Sequence, residues 1–287
     1  MKIGWIGAGK MGLPICQRLK AAGHDVVVFA RTETSANNLS AQGFLVGRTL
    51  AELCNTAEAV FSSISDDAAL LDILDGVATL KKGSTYIDIS TVSPQTSAQV
   101  AARLLAKEIG YLRSPVSGST TMAQAGTLTA IVSGPKTVFD QHAALIEVFA
   151  KKAFHVGEGE EARYLKLVLN SMVAATSALL GEALAFGNKG GLSNSTMLDV
   201  ISQSVVASPL INYKRDMIVN EDYRPAATLT MLAKDLDLFL AVGRENRTPL
   251  PVSKNVREIY KTALDSGLGE KDFFVLVQEA TRAGRGG

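Results

Sequence analysis

Residues 2–12, KIGWIGAGKMG, decide the fold of this chain. A short β-prone run enters the pattern Gly7-x-Gly9-x-x-Gly12, and the helical pattern of MGLPICQRLKAAG follows at once. In that context Gly7 permits a tight turn, Gly9 lets the backbone approach a pyrophosphate, and Gly12 lets the helix pack close to the strand. The start of the helix adds free N–H groups and the positive end of its dipole. Gly7, Ala8, Gly9, Lys10, Met11 and Gly12 are therefore expected to cradle a dinucleotide.

The next strand ends in VVVFARTE, and its end speaks to which dinucleotide. An NAD site usually places an acidic residue roughly 20 residues beyond the last glycine, where it holds the ribose 2′-hydroxyl. Here Ala30, Arg31 and Thr32 stand in that region. A guanidinium pairs with a 2′-phosphate and a hydroxyl can add a hydrogen bond, so NADP is expected and NAD less favoured. The competing reading is a solvated Arg31, with Glu33 moving inward to serve NAD.

Further along, SSISDD (62–67) and DISTVSP (88–94) end β-rich runs in small hydroxylated residues. In an open α/β sheet this puts Ser65, Ser90 and Thr91 at the carboxyl edge, where ligands bind. Ordinary helix capping by Ser, Thr or Asp explains the same residues.

Strand and helix patterns alternate up to about residue 160, adding AEAVFSSIS, STYIDIS and TLTAIVSG to the strands already quoted. Such alternation predicts right-handed βαβ units. After Gly159 the pattern is helical over 161–189, 194–206, 209–219, 228–247 and 252–267, and the terminal TRAGRGG is expected to fray. The expected fold is thus α/β: a Rossmann domain with a doubly wound parallel sheet (1–160), then an all-α C-terminal domain (161–287). The boundary has no flexible linker composition, and a ligand site at the junction is the default expectation.

Composition narrows the partners. The 287 residues carry 29 Lys plus Arg against 28 Asp plus Glu, with no like-charge run to serve as a nucleic-acid or lipid footprint. A small molecule is the expected ligand. Two cysteines without CxxC spacing and three scattered histidines give neither a disulfide framework nor a metal signature, in keeping with a reducing cytoplasm. The N-terminus lacks a signal-peptide pattern, and the uncharged run between Lys166 and Glu182 falls short of the roughly 20 residues of a membrane span.

That apolar run begins ARYLKLVLN (162–170). Lys166 and Asn170 are four residues apart and share one helix face, which Ala174, Ser177 and Gly181 continue with small side chains. A lysine buried against a cofactor cleft would have its charged form disfavoured, moving it toward the neutral range an acid–base catalyst needs. The plain alternative is a lysine that snorkels and an asparagine that satisfies nearby backbone. Arg163 reads as a solvated first-turn residue, and Lys189 as a partner of the helix C-terminus.

SPVSGSTTMAQAGTLTAIVSGP (114–135), together with IGAGKMGLPI, DISTVSP, the K-x-x-x-N of LKLVLN and KDLDLFLAV (234–242), resembles the β-hydroxyacid dehydrogenase family over essentially the whole chain. The family includes 3-hydroxyisobutyrate dehydrogenase, tartronate semialdehyde reductase and the glyoxylate/succinic semialdehyde reductases. The resemblance implies that Lys166 is the catalytic lysine, with Asn170 its partner near the substrate. It further implies that Ser117 and Gly118, with Ser119 in the same loop, bind the substrate carboxylate. Thr91 would touch the nicotinamide-ribose region, and Lys234 with Asp235 would face the cleft.

The chain departs from the family pattern in three places. Arg113-Ser114 stands where the family has an Asp before its loop, and Ser119 replaces the second loop glycine. Ala227, after Pro225, stands where relatives often have an aromatic, which should leave the pocket roomier. The implied activity is NADPH-dependent interconversion of a small β-hydroxyacid and its semialdehyde or keto acid. Imine reduction on the same scaffold and a non-catalytic cofactor-binding scaffold are the alternatives. The apolar helices also suit a homodimer or homotetramer.

Overall fold

The structure, a computed structural model, describes residues 1–285 and falls into two compact units, Met1–Lys166 and Leu167 onward. In the first unit, β1 (Lys2–Ile6), β2 (Asp25–Phe29), β3 (Leu45–Gly47), β4 (Ala59–Ser62), β5 (Thr85–Asp88) and β6 (Gly110–Arg113) are parallel, in the order β3-β2-β1-β4-β5-β6. The crossovers contain α1 (Gly12–Ala21), α2 (Glu33–Ala41), α3 (Leu50–Thr56), α4 (Asp67–Val77) and α5 (Pro94–Leu105). β4 and β5 are buried along their whole length, as strands covered on both faces must be. Trp5 stacks on Phe61 at 5.2 Å between ring centroids, and Phe149 meets Phe61 edge-on at 6.1 Å, at the centre of the larger of the unit's two apolar clusters.

Beyond β6 the sheet departs from the expected all-parallel pattern. β7 (Val116–Ser117) pairs antiparallel with β8 (Leu128–Ser133), and β9 (Ala150–Gly157) runs parallel to β8. β6 also pairs antiparallel with β8, Arg113 opposite Ser133, so β6 and β7, separated only by Ser114 and Pro115, run in the same direction along β8. α6 (Thr120–Ala125) connects β7 to β8, and α7 (Lys136–Glu147) connects β8 to β9.

Helix α8 (Glu161–Lys189) contains the boundary between the units, and its first residues belong to the α/β unit. The second unit continues with α9 (Asn194–Ser202), α10 (Pro209–Val219), α11 (Leu229–Glu245) and α12 (Pro251–Asp265). A 3₁₀ turn (Phe273–Val275) and α13 (Leu276–Arg285) complete it. Ser193, Ser208 and Thr228 cap α9, α10 and α11 through their side-chain oxygens. α13 corrects the sequence reading, which left 268–280 without a helix; the fraying expected of TRAGRGG falls in part on residues outside those described. The segment FFVLV is buried in the helical core where α13 begins; Gly286 and Gly287 lie outside the described residues.

By length and composition α8 is apolar enough to cross a membrane, contrary to the count from its uncharged run alone. Its Ala174, Ala178, Leu180 and Leu184 are built into the core of the second unit, the other origin of such a composition.

Candidate active site

The strand registers align Ile6 with Phe29 and Ser62, Ser62 with Asp88, and Asp88 with Arg113, so β1, β2, β4, β5 and β6 end at one edge of the sheet. The segments that follow them carry Gly7–Gly12, Arg31, Ser65, Thr91 and the 117–119 loop. This is the edge at which doubly wound sheets bind ligands.

The glycine turn has the geometry its sequence implies. Gly7 has φ +85°, and a Cβ there would lie 2.2 Å from the Ser63 carbonyl oxygen. A Cβ at Gly12 would lie 2.4 Å from the Gly7 carbonyl oxygen and 2.7 Å from Trp5 Nε1. At Gly9, by contrast, a Cβ would meet nothing within 4 Å, so this backbone faces open space. Met11 at the N-cap of α1 makes no side-chain capping bond, which leaves the helix start to a ligand. Ala8 and Met11 are half-buried and Lys10 is exposed. These features fit a dinucleotide pyrophosphate.

At the end of β2, Arg31 and Thr32 are exposed. The Thr32 hydroxyl caps α2, accepting from the Ser35 N–H at 3.2 Å and donating to Ser35 Oγ at 3.0 Å. The hydroxyl expected to serve a 2′-phosphate is thus engaged within the chain, and Arg31 is the better placed of the two for that role.

The 62–67 and 88–94 segments divide between their two readings. Asp66 and Ser93 are helix caps, for α4 and α5, while Ser65 is exposed and Thr91 half-exposed at the strand edge. Ser65 donates to Asp66 at 2.8 Å. Ser90 is a structural residue: it is buried, donates to Asp88 Oδ1 at 2.6 Å and accepts from the Ile64 N–H at 2.9 Å.

Asp88 organises a buried polar cluster under this edge. Its Oδ1 also accepts from Ser62 Oγ at 2.6 Å, so the Tyr86 hydroxyl, 2.6 Å from Ser62 Oγ, is the donor of that bond. Its Oδ2 pairs with Arg163. Arg163 also donates from Nη1 to the Ser90 carbonyl at 2.7 Å, from Nη2 to the Tyr111 hydroxyl at 2.9 Å and from Nε to Ser97 Oγ at 3.1 Å. At 1% exposure Arg163 is the opposite of the solvated residue its position suggested. Burial opposes its charge, but Tyr111 and Asp88 outweigh that and hold the guanidinium above its ordinary range. Burial likewise raises the phenols of Tyr86 and Tyr111.

Arg113 is buried too. It pairs with Glu160 and lies over the Tyr111 ring, 4.4 Å from its centroid. At the end of β7 Ser117 is half-buried, and in the loop after it Ser119 is half-buried and Gly118 exposed with φ +137°. Ser119 is the N-cap of α6, accepting from the Met122 N–H at 3.3 Å. Lys166 reaches this loop: its Nζ donates to the Val116 carbonyl at 2.9 Å, next to Ser117.

In the second unit, Asn170 Nδ2 donates to Asp235 Oδ2 at 2.6 Å, and Lys234 Nζ lies 3.0 Å from Asp235 Oδ1. Asn170 is thus held by α11. The small residues that follow it on α8 serve packing: Ser177 Oγ is 2.8 Å from the Tyr260 hydroxyl, and a Cβ at Gly181 would lie 3.0 Å from the Leu276 carbonyl oxygen. The Ala226 N–H donates to Asp272, which also pairs with the buried Lys214, so the segment around Ala227 is pinned from below.

Two family profiles match the chain. Residues 2–157 match the NAD binding domain of 6-phosphogluconate dehydrogenase, and residues 160–280 match the NAD-binding domain of NADP-dependent 3-hydroxyisobutyrate dehydrogenase. Glyoxylate/succinic semialdehyde reductase 1 of Arabidopsis thaliana is 30% identical over 97% of this chain and 98% of its own length. 2-(Hydroxymethyl)glutarate dehydrogenase of Eubacterium barkeri is 30% identical over 97% and 94%. Among solved structures, 3-hydroxyisobutyrate dehydrogenase of Mycobacterium tuberculosis with L-serine superposes with TM-score 0.89 at 25% identity, covering 97% of this chain and 98% of that one. Psf3 in complex with NADP+ and 2-OPP gives TM-score 0.86 at 27% identity, covering 96% and 99%. An imine reductase from Pseudomonas sp. shares the fold at TM-score 0.60 and 21% identity, covering 96% and 98%.

Proposed function

The chain belongs to the β-hydroxyacid dehydrogenase family of oxidoreductases, and from that premise we propose that it interconverts a small β-hydroxyacid and its semialdehyde or keto acid, using NADP(H), with Lys166 as general acid and base. The observation that carries this reading is the bond from Lys166 Nζ to the Val116 carbonyl. It stations an amine beside the Ser117–Ser119 loop, so a proton donor and a carboxylate-binding loop share one place.

A bound nicotinamide supplies or accepts a hydride at its C4. The chain's own residues do the rest. The start of α1 and the open backbone at Gly9 receive the phosphates, Arg31 pairs with a 2′-phosphate, and Ser65 and Thr91 line the edge between them. Ser117, Gly118 and Ser119 hold the substrate carboxylate by hydroxyl and backbone N–H groups. Lys166 gives a proton to the carbonyl oxygen during reduction and removes it from the hydroxyl during oxidation. In the second unit, Asp235 fixes the side chains of Asn170 and Lys234, to which the reading assigns substrate and cofactor contacts. The same reading takes the protein as a cytoplasmic homodimer or homotetramer, supported by the exposed apolar side chains Val168, Met172, Leu179 and Phe186 along α8.

The test is oxidation of NADPH and NADH, followed by absorbance, against semialdehydes, glyoxylate and cyclic imines. Turnover of a carboxylate-bearing aldehyde or ketone is expected, and Lys166→Ala should lower its rate by about 10²–10⁴-fold with cofactor affinity nearly unchanged. Near-normal activity of Lys166→Ala would refute the proton-transfer role, and turnover confined to imines would replace the substrate class.

A further inference from the structure

We propose that Arg163 is a positioning residue for Lys166, fixing the first turn of α8 against the sheet edge so that the lysine amine stands at one place beside the 117–119 loop. The proposal rests on the reading of Lys166 as the proton-transfer group. Lysine has a long side chain with four rotatable bonds, so the place of its amine depends on both ends being held. Nζ is held by the Val116 carbonyl, which belongs to β7. The other end is the backbone of α8, and Arg163 lies three residues earlier, one turn away on a neighbouring part of the helix surface.

Arg163 fixes that turn in three directions. Its Nη2 joins Asp88 on β5 and the Tyr111 hydroxyl on β6. Its Nη1 bonds the Ser90 carbonyl beyond β5, and Nε bonds Ser97 on α5. The planar fork of a guanidinium makes these bonds mutually dependent: a shift that relaxes one breaks another. Three further contacts reference the same turn to the sheet. Ser133 Oγ donates to the Gly159 carbonyl at 2.7 Å and accepts from the Ala162 N–H at 3.2 Å, and Glu160 pairs with Arg113. Tyr111 links the two arginines, with one guanidinium on its hydroxyl and the other over its ring. Both ends of the Lys166 side chain are thereby referenced to one sheet edge. Misplacing a reacting group by about 1 Å costs on the order of a hundredfold in rate, which is what such a brace would prevent.

The experiment compares Arg163→Lys and Tyr111→Phe with wild type and with Arg103→Lys, an exposed control, in the full-length protein. Arg163→Lys keeps the charge and loses the fork; it should lower kcat by about ten- to a hundredfold with the cofactor KM within about twofold. Tyr111→Phe removes one hydroxyl and keeps the ring under Arg113; it should lower kcat about three- to tenfold, and it carries the test if Arg163→Lys does not fold. Lysine amines are also dimethylated with ¹³C, and the Lys166 signal is assigned by its loss in Lys166→Arg. That signal should move in Tyr111→Phe and stay in Arg103→Lys. Unchanged kcat and an unmoved Lys166 signal, with only a lower melting temperature, would overturn the proposal. If Lys166→Ala keeps wild-type turnover, the proton-transfer reading fails, while the Lys166 signal in Tyr111→Phe still decides whether the brace sets the amine's position.

Discussion

Gly9→Ala separates binding from folding at the glycine turn more cleanly than any other change there. A Cβ at position 9 meets no protein atom within 4 Å, so the folded state pays no steric cost and stability should stay within about 0.5 kcal/mol of wild type. The cost falls on the ligand, because the added methyl fills the space through which the backbone would approach the pyrophosphate. Losing one charge-assisted N–H to phosphate bond costs roughly 1.5–3 kcal/mol, which corresponds to about ten- to a hundredfold weaker NADPH binding. Gly7→Ala supplies the contrast. Its φ of +85° costs an L-residue roughly 1–2 kcal/mol, and its Cβ would press to 2.2 Å from the Ser63 carbonyl oxygen, so this variant should lose stability before any ligand is added. Calorimetric titration with NADPH and thermal melts of the ligand-free proteins give both quantities. Gly9→Ala that binds NADPH as tightly as wild type would refute the placement of the phosphates against this turn.

Arg31→Ala should weaken NADPH binding by about tenfold or more while NADH changes little; equal responses would remove the 2′-phosphate role. Asp88→Ala strands the buried Arg163 and should cost roughly 3–5 kcal/mol in urea unfolding, whereas Asp75→Ala, whose carboxylate meets Arg103 at the surface, should cost less than about 1 kcal/mol. Comparable losses would show that burial is not what makes the first pair matter. Tyr86 and Tyr111 keep their phenol protons in the folded state above the ordinary tyrosine pKa of about 10 because they are buried. Their contribution to stability is therefore complete below about 10 and is lost as pH rises, since the unfolded chain then gives up protons that the folded chain retains. Alkaline unfolding followed by circular dichroism should move to higher pH in Tyr86→Phe relative to its own neutral-pH stability, and an unmoved midpoint would contradict this assignment.

What the sequence disclosed was set by how local its causes are. The glycine turn, the alternation of strand and helix that it begins and five of the later helices are written in spacings of a few residues, and the structure places those helices within a few residues of their expected ends. Arg163 was misread because its partners Asp88, Ser90, Ser97 and Tyr111 lie 52 to 75 residues earlier, and no local period marks an arginine as buried. A faint signal was present, in that Asp88 ends a strand whose other residues are apolar or β-prone, and a buried carboxylate requires a cation. β9 escaped notice because its AKKAFHVG exposes Lys151, Lys152 and Phe154 and so lacks the apolar run of an inner strand. α13 escaped notice because FFVLV, which runs into its first turn, reads equally as a strand, and only packing against the helical core decides between them.

The three departures from the family pattern now differ in what they imply for the substrate. Arg113, the most conspicuous of them, is buried, paired with Glu160 and laid over Tyr111. Its charge serves the framework around the start of α8, so it supplies no free cation for a second substrate carboxylate. Ser119 is different. Its oxygen accepts from the Met122 N–H in capping α6, and accepting leaves the hydroxyl hydrogen able to donate, so the loop carries one donor more than a glycine would give it. Ala227 belongs to a segment fixed by Asp272 through the Ala226 N–H and by the bond from the Phe273 N–H to the Ala227 carbonyl. Its small side chain packs against the core of the second unit. Under the proposed reading, Ser119 therefore adds a hydroxyl donor for a substrate carboxylate, and Arg113 does not act as the cation for a second one.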